Sequence, residues 1–254
     1  MRFDPPLEPA TFVRRYKRFL VDAVLPDGHE VVAHSTNTGA LRGCMPQGAP
    51  AGLRAADNPK RKLAWTWTLV QLSTGWVVVD TSLAVPMVEE ALDAGLLPEL
   101  GGYARRIREV KYGREGRSRI DLLLAKGGEA PPRIRSGREP WPGESRLYIE
   151  VKATTLVEER GGHRVAMFPD AVTERGRKHL EELAEVARTG EHRAAMVYVV
   201  QRDDAERFAP AAHVDPAYAQ ALREALDAGV QAHAFTVRAG LEGVELGRRL
   251  PVEV

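Results

Sequence analysis

Ser118-Arg-Ile-Asp-Leu-Leu-Leu124 and Leu147-Tyr-Ile-Glu-Val-Lys-Ala153 are the two stretches on which the reading of this chain turns. Each is short, apolar and alternating, the pattern of a strand. Alternation puts Ile120, Leu122 and Leu124 on one face and Arg119 with Asp121 on the other. In the second stretch Leu147, Ile149 and Val151 face one way, and Tyr148, Glu150 and Lys152 the other. If the strands are neighbours, an Asp, a Glu and a Lys converge on one patch. A buried charge is costly unless it is paired or holds a metal. Two carboxylates this close repel each other, and a hard divalent cation, Mg²⁺ or Mn²⁺, resolves the conflict. With Asp121 and Glu150 as metal ligands and Lys152 beside them, the chemistry that suits the patch is phosphodiester hydrolysis. The cation polarises a phosphoryl oxygen and activates a water, while the ammonium stabilises the developing negative charge. The plainer alternative is a structural Glu–Lys salt bridge at the end of a sheet.

Around this pair, the chain from Pro86 onward mixes helix and strand patterns. Pro86 to Leu97 reads as a helix with Val88, Leu92 and Leu96 on one side. Thr173 to Arg188 carries Leu180, Leu183, Ala184 and Ala187 at helical spacing, with Gly190 closing it. Ala194 to Val200 is an apolar run fit for a central strand covered on both faces. Asp215-Pro216 starts a last helix, which Gly229 ends. The expected fold is therefore an α/β domain over residues 86–254. Between the two opening stretches, Lys126 to Arg146 is rich in Gly, Pro and Arg and reads as an exposed, mobile loop.

Before residue 86 the pattern changes to short strands broken by turns. Phe19 to Leu25 ends at Pro26-Asp-Gly28, Glu30 to His34 at Asn37-Thr-Gly39, and Trp65 to Leu72 at Ser73-Thr-Gly75, before Trp76 to Val79. About five such strands suggest an OB-like barrel over residues 1–85, a fold that binds nucleic-acid strands on one open face. Trp65 and Trp67 share a face and are placed to stack bases, with core packing expected of at least one.

The formal net charge of the 254 residues is only +1, so distribution matters more than sum. Basic residues bunch at Arg14-Arg15-Tyr16-Lys17-Arg18, at Lys60-Arg61-Lys62 and from Arg105 to Arg119. Such local basic faces fit phosphate binding, against the plain reading of solvated surface. Arg175 and Lys178, with Thr173 and His179, open a helix whose N-terminus also suits a phosphate. Glu109 is a candidate third acid, against a surface ion pair. The single cysteine, Cys44, excludes an internal disulfide and a cysteine zinc framework. Nothing resembles a signal peptide or a membrane span, so the expected setting is the cytoplasm.

The order of a strand Asp followed by a strand Glu-x-Lys resembles the PD-(D/E)xK nuclease pattern, with Ile120 in place of the proline. Over nearly its full length the chain also resembles the sugar fermentation stimulation protein A family. The matching segments are Arg15-Tyr-Lys-Arg-Phe19, His34-Ser-Thr-Asn-Thr-Gly39, Asp57-Asn-Pro-Lys-Arg-Lys62 with Thr66-Trp67, Glu109-Val-Lys-Tyr-Gly113, Ser118-Arg-Ile-Asp121, Ile149-Glu-Val-Lys152, and Phe168-Pro-Asp-Ala-Val-Thr-Glu-Arg-Gly176 with Lys178-His-Leu180. The resemblance implies an OB-like barrel followed by a PD-(D/E)xK restriction-endonuclease-like α/β domain. It implies DNA, rather than RNA, as partner and a link to sugar, especially maltose, metabolism. By position, Asp121 and Glu150 become metal ligands and Lys152 the catalytic lysine. Three functions follow: a Mg²⁺-dependent nuclease, a non-catalytic and sequence-nonspecific DNA-binding regulator, or a sugar-active enzyme using Asp121 and Glu150 as acid and base. The third leaves Lys152 and the basic clusters without a role.

Overall fold

Turn chemistry divides the first eighty residues into strands. The computed structural model, which describes residues 1–56, 58, 60–113, 116, 118–126 and 145–254, has β1 at Glu8–Tyr16, β2 at Leu20–Val24, β3 at Glu30–His34, β4 at Pro50–Ala55 and β5 at Trp65–Leu72. β1 pairs antiparallel with β2 and β4, β2 with β3, and β4 with β5, while a parallel β3–β5 pairing closes the ring. This is the expected OB-like five-stranded barrel. β6 (Gly75–Val78) extends β5 as a hairpin beyond it. Inside, Trp67 is fully buried and stacks on Phe12 at 5.1 Å, so core packing is its role. β1 and β4 escape the sequence reading, since one mixes Glu8, Arg14 and Arg15 into its run and the other is Pro-Ala-Gly-Leu-Arg-Ala.

The α/β part follows. Helix α1 covers Ala84–Asp93, then come β7 (Arg105–Tyr112), β8 (Ser118–Ala125), β9 (Arg146–Thr154), β10 (Val157–Arg160), β11 (His163–Phe168), α2 (Glu174–Arg188), β12 (Arg193–Val200), β13 (Arg207–Pro210), α3 (Pro216–Asp227), β14 (Gln231–Gly240) and β15 (Gly243–Leu250). The main sheet has the order β15-β14-β12-β9-β8-β7, and β10-β11-β13 form a smaller one. β9, β12 and β14 run parallel, as the intervening helices α2 and α3 require. β12 is central and covered on both faces: Ala195, Val197 and Val199 face α1, and Ala194, Met196 and Tyr198 face α2 and α3.

The first helix ends earlier than its apolar spacing suggests. Gly95, at φ +68°, stops α1 by handing the Leu96 N–H to Ala91 and its own N–H to Leu92. Leu96 therefore lies past the helix and is 62% exposed, not on its packed side. Most of the segment expected to be a mobile loop, 127–144, lies outside the described residues, while Arg146 opens β9.

The barrel and the α/β part share a core. Leu69 of β5 and Val78 of β6 join Met87 and Val88 of α1 in one apolar cluster, and Phe3 and Leu7 enter it from the N-terminal segment. The Val78 N–H donates to the Gln201 carbonyl at 2.8 Å. Among the described residues, no helix is long and apolar enough to cross a membrane.

Candidate functional site

β8 and β9 are neighbours, but they pair only from Ala125↔Arg146 to Leu122↔Ile149. Beyond that point β8 stays with β7 as far as Tyr112↔Ser118, and β9 stays with β12 as far as Thr154↔Val200. The sheet forks at Asp121 and Glu150. There the Asp121 carboxylate, through Oδ2, accepts the Val151 N–H at 2.7 Å. On the other side of β8, Glu109 lies opposite Asp121, between the pairs Arg108↔Leu122 and Val110↔Ile120, at φ +57°. A non-glycine residue in that region within a strand marks a local distortion.

β7 and β8 change facing at this level. Ile120, with Val110 and Tyr112, packs on the side of α2 and α3, whereas Leu122 and Leu124 pack on the side of α1. The strict alternation expected of Ser118 to Leu124 is thus broken at Asp121. β9, by contrast, keeps its alternation: Leu147, Ile149 and Val151 face α1, and Glu150 and Lys152 face away from it, toward His179 of α2.

Glu150 is 2% exposed. Its Oε1 accepts from Lys152 Nζ at 2.5 Å and from His179 Nδ1, while its Oε2 is buried with no hydrogen-bond partner. His179 reaches this place because α2 is anchored at its start. The Thr173 hydroxyl caps the helix by accepting the Gly176 N–H at 3.0 Å, and the Thr173 N–H donates to Asp215, the cap of α3, at 2.9 Å. Gly176 lets the two helices approach, since a Cβ there would stand 3.1 Å from the Tyr218 ring. Leu180, Leu183 and Ala184 then bury the inner face of α2, and His179 is carried in with them.

The two carboxylates differ electrostatically. Burial first, and then the nearby Glu150 charge, push the Asp121 carboxyl up to about 7, against the pull of the Val151 N–H and Lys152. Burial works in the same direction on Glu150, but the hydrogen bond from His179 and the charge of Lys152 outweigh it, so this carboxyl stays below its usual value. Burial, with Glu150 next, also raises the Tyr112 hydroxyl, which is buried and unpartnered.

Beside the pair opens a cleft of ≈ 620 Å³, walled by Glu109, Arg119, Glu174, Arg175, Lys178 and His179. Arg119 stands 3.8 Å from Glu109, and Lys178 4.0 Å from Glu182. Asp121, Glu150 and Lys152 thus meet as the sequence suggests, and Arg119, Arg175 and Lys178 share one cleft next to them. The contact that sequence reasoning missed is His179 on Glu150. Its signal was available: His179 lies four residues before Leu183, on the apolar face of α2. Among the described residues, no group of three or more His, Cys, Asp or Glu is arranged to hold a metal ion.

The N-terminal cations occupy the barrel rim. Register aligns Tyr16 with Leu20, Leu20 with His34, and His34 with Thr66. The β1–β2 tip, with Lys17 and Arg18 at φ 49° and 65°, therefore lies at the same end of the barrel as the β4–β5 connection. Lys17, Arg18, Lys60, Arg61 and Lys62 are all exposed there, and Trp65 is half-buried beside them. Arg14 binds Asp22 at 2.7 Å and lies 5.2 Å over the Tyr16 ring. Arg15 turns inward, donating to the carbonyls of Asn37 and Gly39 at 2.7 and 3.0 Å. Asn37 shapes the expected turn, its Oδ1 accepting the Gly39 N–H at 2.8 Å.

Comparison with known proteins agrees with both halves of this architecture. The family model described as "SfsA N-terminal OB domain" matches residues 13–79, and that described as "Sugar fermentation stimulation protein RE domain" matches residues 82–243. A sugar fermentation stimulation protein homolog from Thioalkalivibrio sulfidiphilus is 46% identical over 254 residues, covering 100% of this chain and 98% of the relative. Its counterpart in Geobacter metallireducens is 47% identical over 252 residues, with 99% of each covered. A solved structure, described as Pyrococcus furiosus SfsA in complex with Ca²⁺, superposes with a TM-score of 0.81 at 30% identity, covering 100% of this chain and 98% of that one.

Proposed function

The chain belongs to the sugar fermentation stimulation protein family, and on that premise we propose that it binds nucleic acid, DNA before RNA, and hydrolyses its phosphodiester bonds at Asp121, Glu150 and Lys152 with a divalent cation. The observation that carries this reading is the bare, buried Oε2 of Glu150 at the fork opposite Asp121. An unsatisfied buried oxygen costs about 1–3 kcal/mol, more when charged, and a cation shared with Asp121 would relieve it. Two carboxylates, completed by waters and substrate phosphate, are a donor set that suits Mg²⁺ or Mn²⁺. The Ca²⁺ with which the Pyrococcus furiosus structure is described in complex is an ion of the same hard, oxygen-seeking class, which supports the fit. When bound, such an ion supplies polarisation of a phosphoryl oxygen and a water of lowered pKa.

The chain's own residues do the rest. Asp121 and Glu150 hold the ion, and Lys152, whose side chain is 17% exposed, stabilises negative charge growing on the phosphate. Arg119, Arg175 and Lys178 hold neighbouring phosphates in the cleft, aided by the N-terminus of α2. Lys17, Arg18 and Lys60 to Lys62 grip the strand at the barrel rim. The test is a gel assay of wild type and Lys152→Ala on labelled single- and double-stranded DNA and RNA, with Mg²⁺, Mn²⁺ or EDTA. Metal-dependent cutting by wild type, lost in the variant, is expected; no cutting of any substrate would refute the catalytic assignment.

A second reading is a non-catalytic, sequence-nonspecific DNA-binding regulator of sugar (maltose) metabolism genes. It is favoured by the side chains of Lys17, Arg18, Lys60 and Lys62, which are exposed at one rim and make no hydrogen bond or ion pair among the described residues. Shifted but uncut bands in every lane would leave this reading in place.

A further inference from the structure

We infer that His179 is a positioning residue for the cation site: it holds Oε1 of Glu150 so that Oε2 stays free for the ion while Lys152 serves the substrate. This rests on the nuclease reading of the same site. The two oxygens of Glu150 are unequally served, with Lys152 and His179 both on Oε1 and nothing on Oε2. As Lys152 moves toward the charge growing on a phosphate, its hold on Glu150 weakens. When it turns to the phosphate, Oε1 would be left as bare as Oε2 unless His179 stays.

His179 is built to stay. It is 3% exposed, it belongs to a helix capped at Thr173 and tied to α3 through Asp215, and its ring cannot swing without displacing packed neighbours. Its bond to Glu150 is charge-assisted from the carboxylate side, and such outer partners of a metal ligand typically govern affinity by about 10–100-fold. Remove the imidazole, and Lys152 becomes the sole partner of a buried carboxylate and is held back from the substrate.

The geometry discriminates between replacements. An Asn amide nitrogen falls near the place of Nδ1, whereas a Gln amide nitrogen falls near Nε2. The experiment is isothermal titration of Mn²⁺ into wild type, His179→Leu, His179→Asn and His179→Gln without nucleic acid, each variant also melted thermally. Mn²⁺ binding about 10–100-fold weaker is expected in the Leu and Gln variants, with Asn within a few-fold of wild type. With nucleic acid, the Leu variant should lose kcat at nearly constant KM. A folded Leu variant that takes Mn²⁺ as wild type does would overturn the inference, as would equal losses in Asn and Gln. If the Leu variant fails to fold, the Asn–Gln comparison decides alone. Should wild type itself bind no Mn²⁺, the nuclease reading falls as well, which separates the two failures.

Discussion

Asp121 and Glu150 are two carboxylates with opposite needs. The His179 hydrogen bond and the Lys152 ammonium hold Glu150 below its usual value, so the electrostatic strain of the pair collects on Asp121, whose carboxyl rises from 3.8 to about 7. Between those values the folded chain holds a proton that the unfolded chain has released, so folding stability falls as pH rises through that window. The part of stability linked to this proton is complete below about pH 4 and gone above about pH 7. Asp121→Asn removes the conflict while keeping an acceptor for the Val151 N–H. It should melt above wild type at pH 8, by the equivalent of about 1–2 kcal/mol, and the gain should shrink toward pH 4. A variant that melts lower at pH 8 would show that the carboxylate is not strained. The same proton would compete with a cation held by Asp121, so on the proposed function Mn²⁺ affinity of the wild type should rise as pH climbs from 6 to 8. Affinity that stays flat across this range would contradict the assignment of Asp121 as a ligand.

At the scale of elements, the site is the place where strand regularity fails. β8 and β9 diverge, Glu109 takes left-handed backbone, and the facing of β7 and β8 reverses, all within one level of the sheet. Gly113 then lets the β7–β8 hairpin turn at φ +82° against Glu182 of α2, where a Cβ would collide with the carboxylate. Gly113→Ala should therefore cost roughly 1–3 kcal/mol of stability by denaturant titration and weaken cleavage, because the cleft wall moves. An unchanged midpoint would mean that the hairpin tolerates a shift.

These same features explain what could be read from the sequence. β3, β5, β12, α2 and α3 follow directly from alternation, apolar runs and caps, because their side chains answer to one flat face or one helix stripe. β7, β10 and β13 carry no such pattern: Arg-Arg-Ile-Arg-Glu-Val-Lys-Tyr is an edge strand, and the other two are four residues long. Asp121, Glu150 and Lys152 were legible by residue type and spacing. The break in alternation at Asp121 was not, because it is a tertiary distortion that no local propensity records. That His179 turns inward was readable from its place on the apolar face of α2, but its pairing with Glu150 was not, since that depends on how α2 lies across β9.

On the scale of the molecule, the proposed function requires barrel and α/β part to be locked together. The Asp170 carboxylate accepts the Ala40 N–H at 2.7 Å, while Arg15 holds the Asn37 and Gly39 carbonyls of the same loop. Gly39 is required there, since a Cβ would lie 2.6 Å from Asp170. Asp170→Ala should cost about 1–3 kcal/mol by chemical denaturation and reduce cleavage more than strand binding, because grip and cut lose their fixed relation. Equal losses in both would remove the special role of this lock. The barrel rim makes its own prediction. Reversing Lys60 and Lys62 to Glu should weaken DNA binding and flatten the dependence of log affinity on log salt by about 1.5–2. An unaltered slope would place the strand elsewhere.

The most direct test of the proposed cation site at the fork is to look for an ion there, in crystals of the wild-type protein soaked in Mn²⁺ and measured at a wavelength where manganese scatters anomalously. The expected result is an anomalous peak bonded to Asp121 and to Oε2 of Glu150, absent from crystals of Glu150→Gln. A peak elsewhere in the molecule, or none at the fork at saturating Mn²⁺, would contradict it.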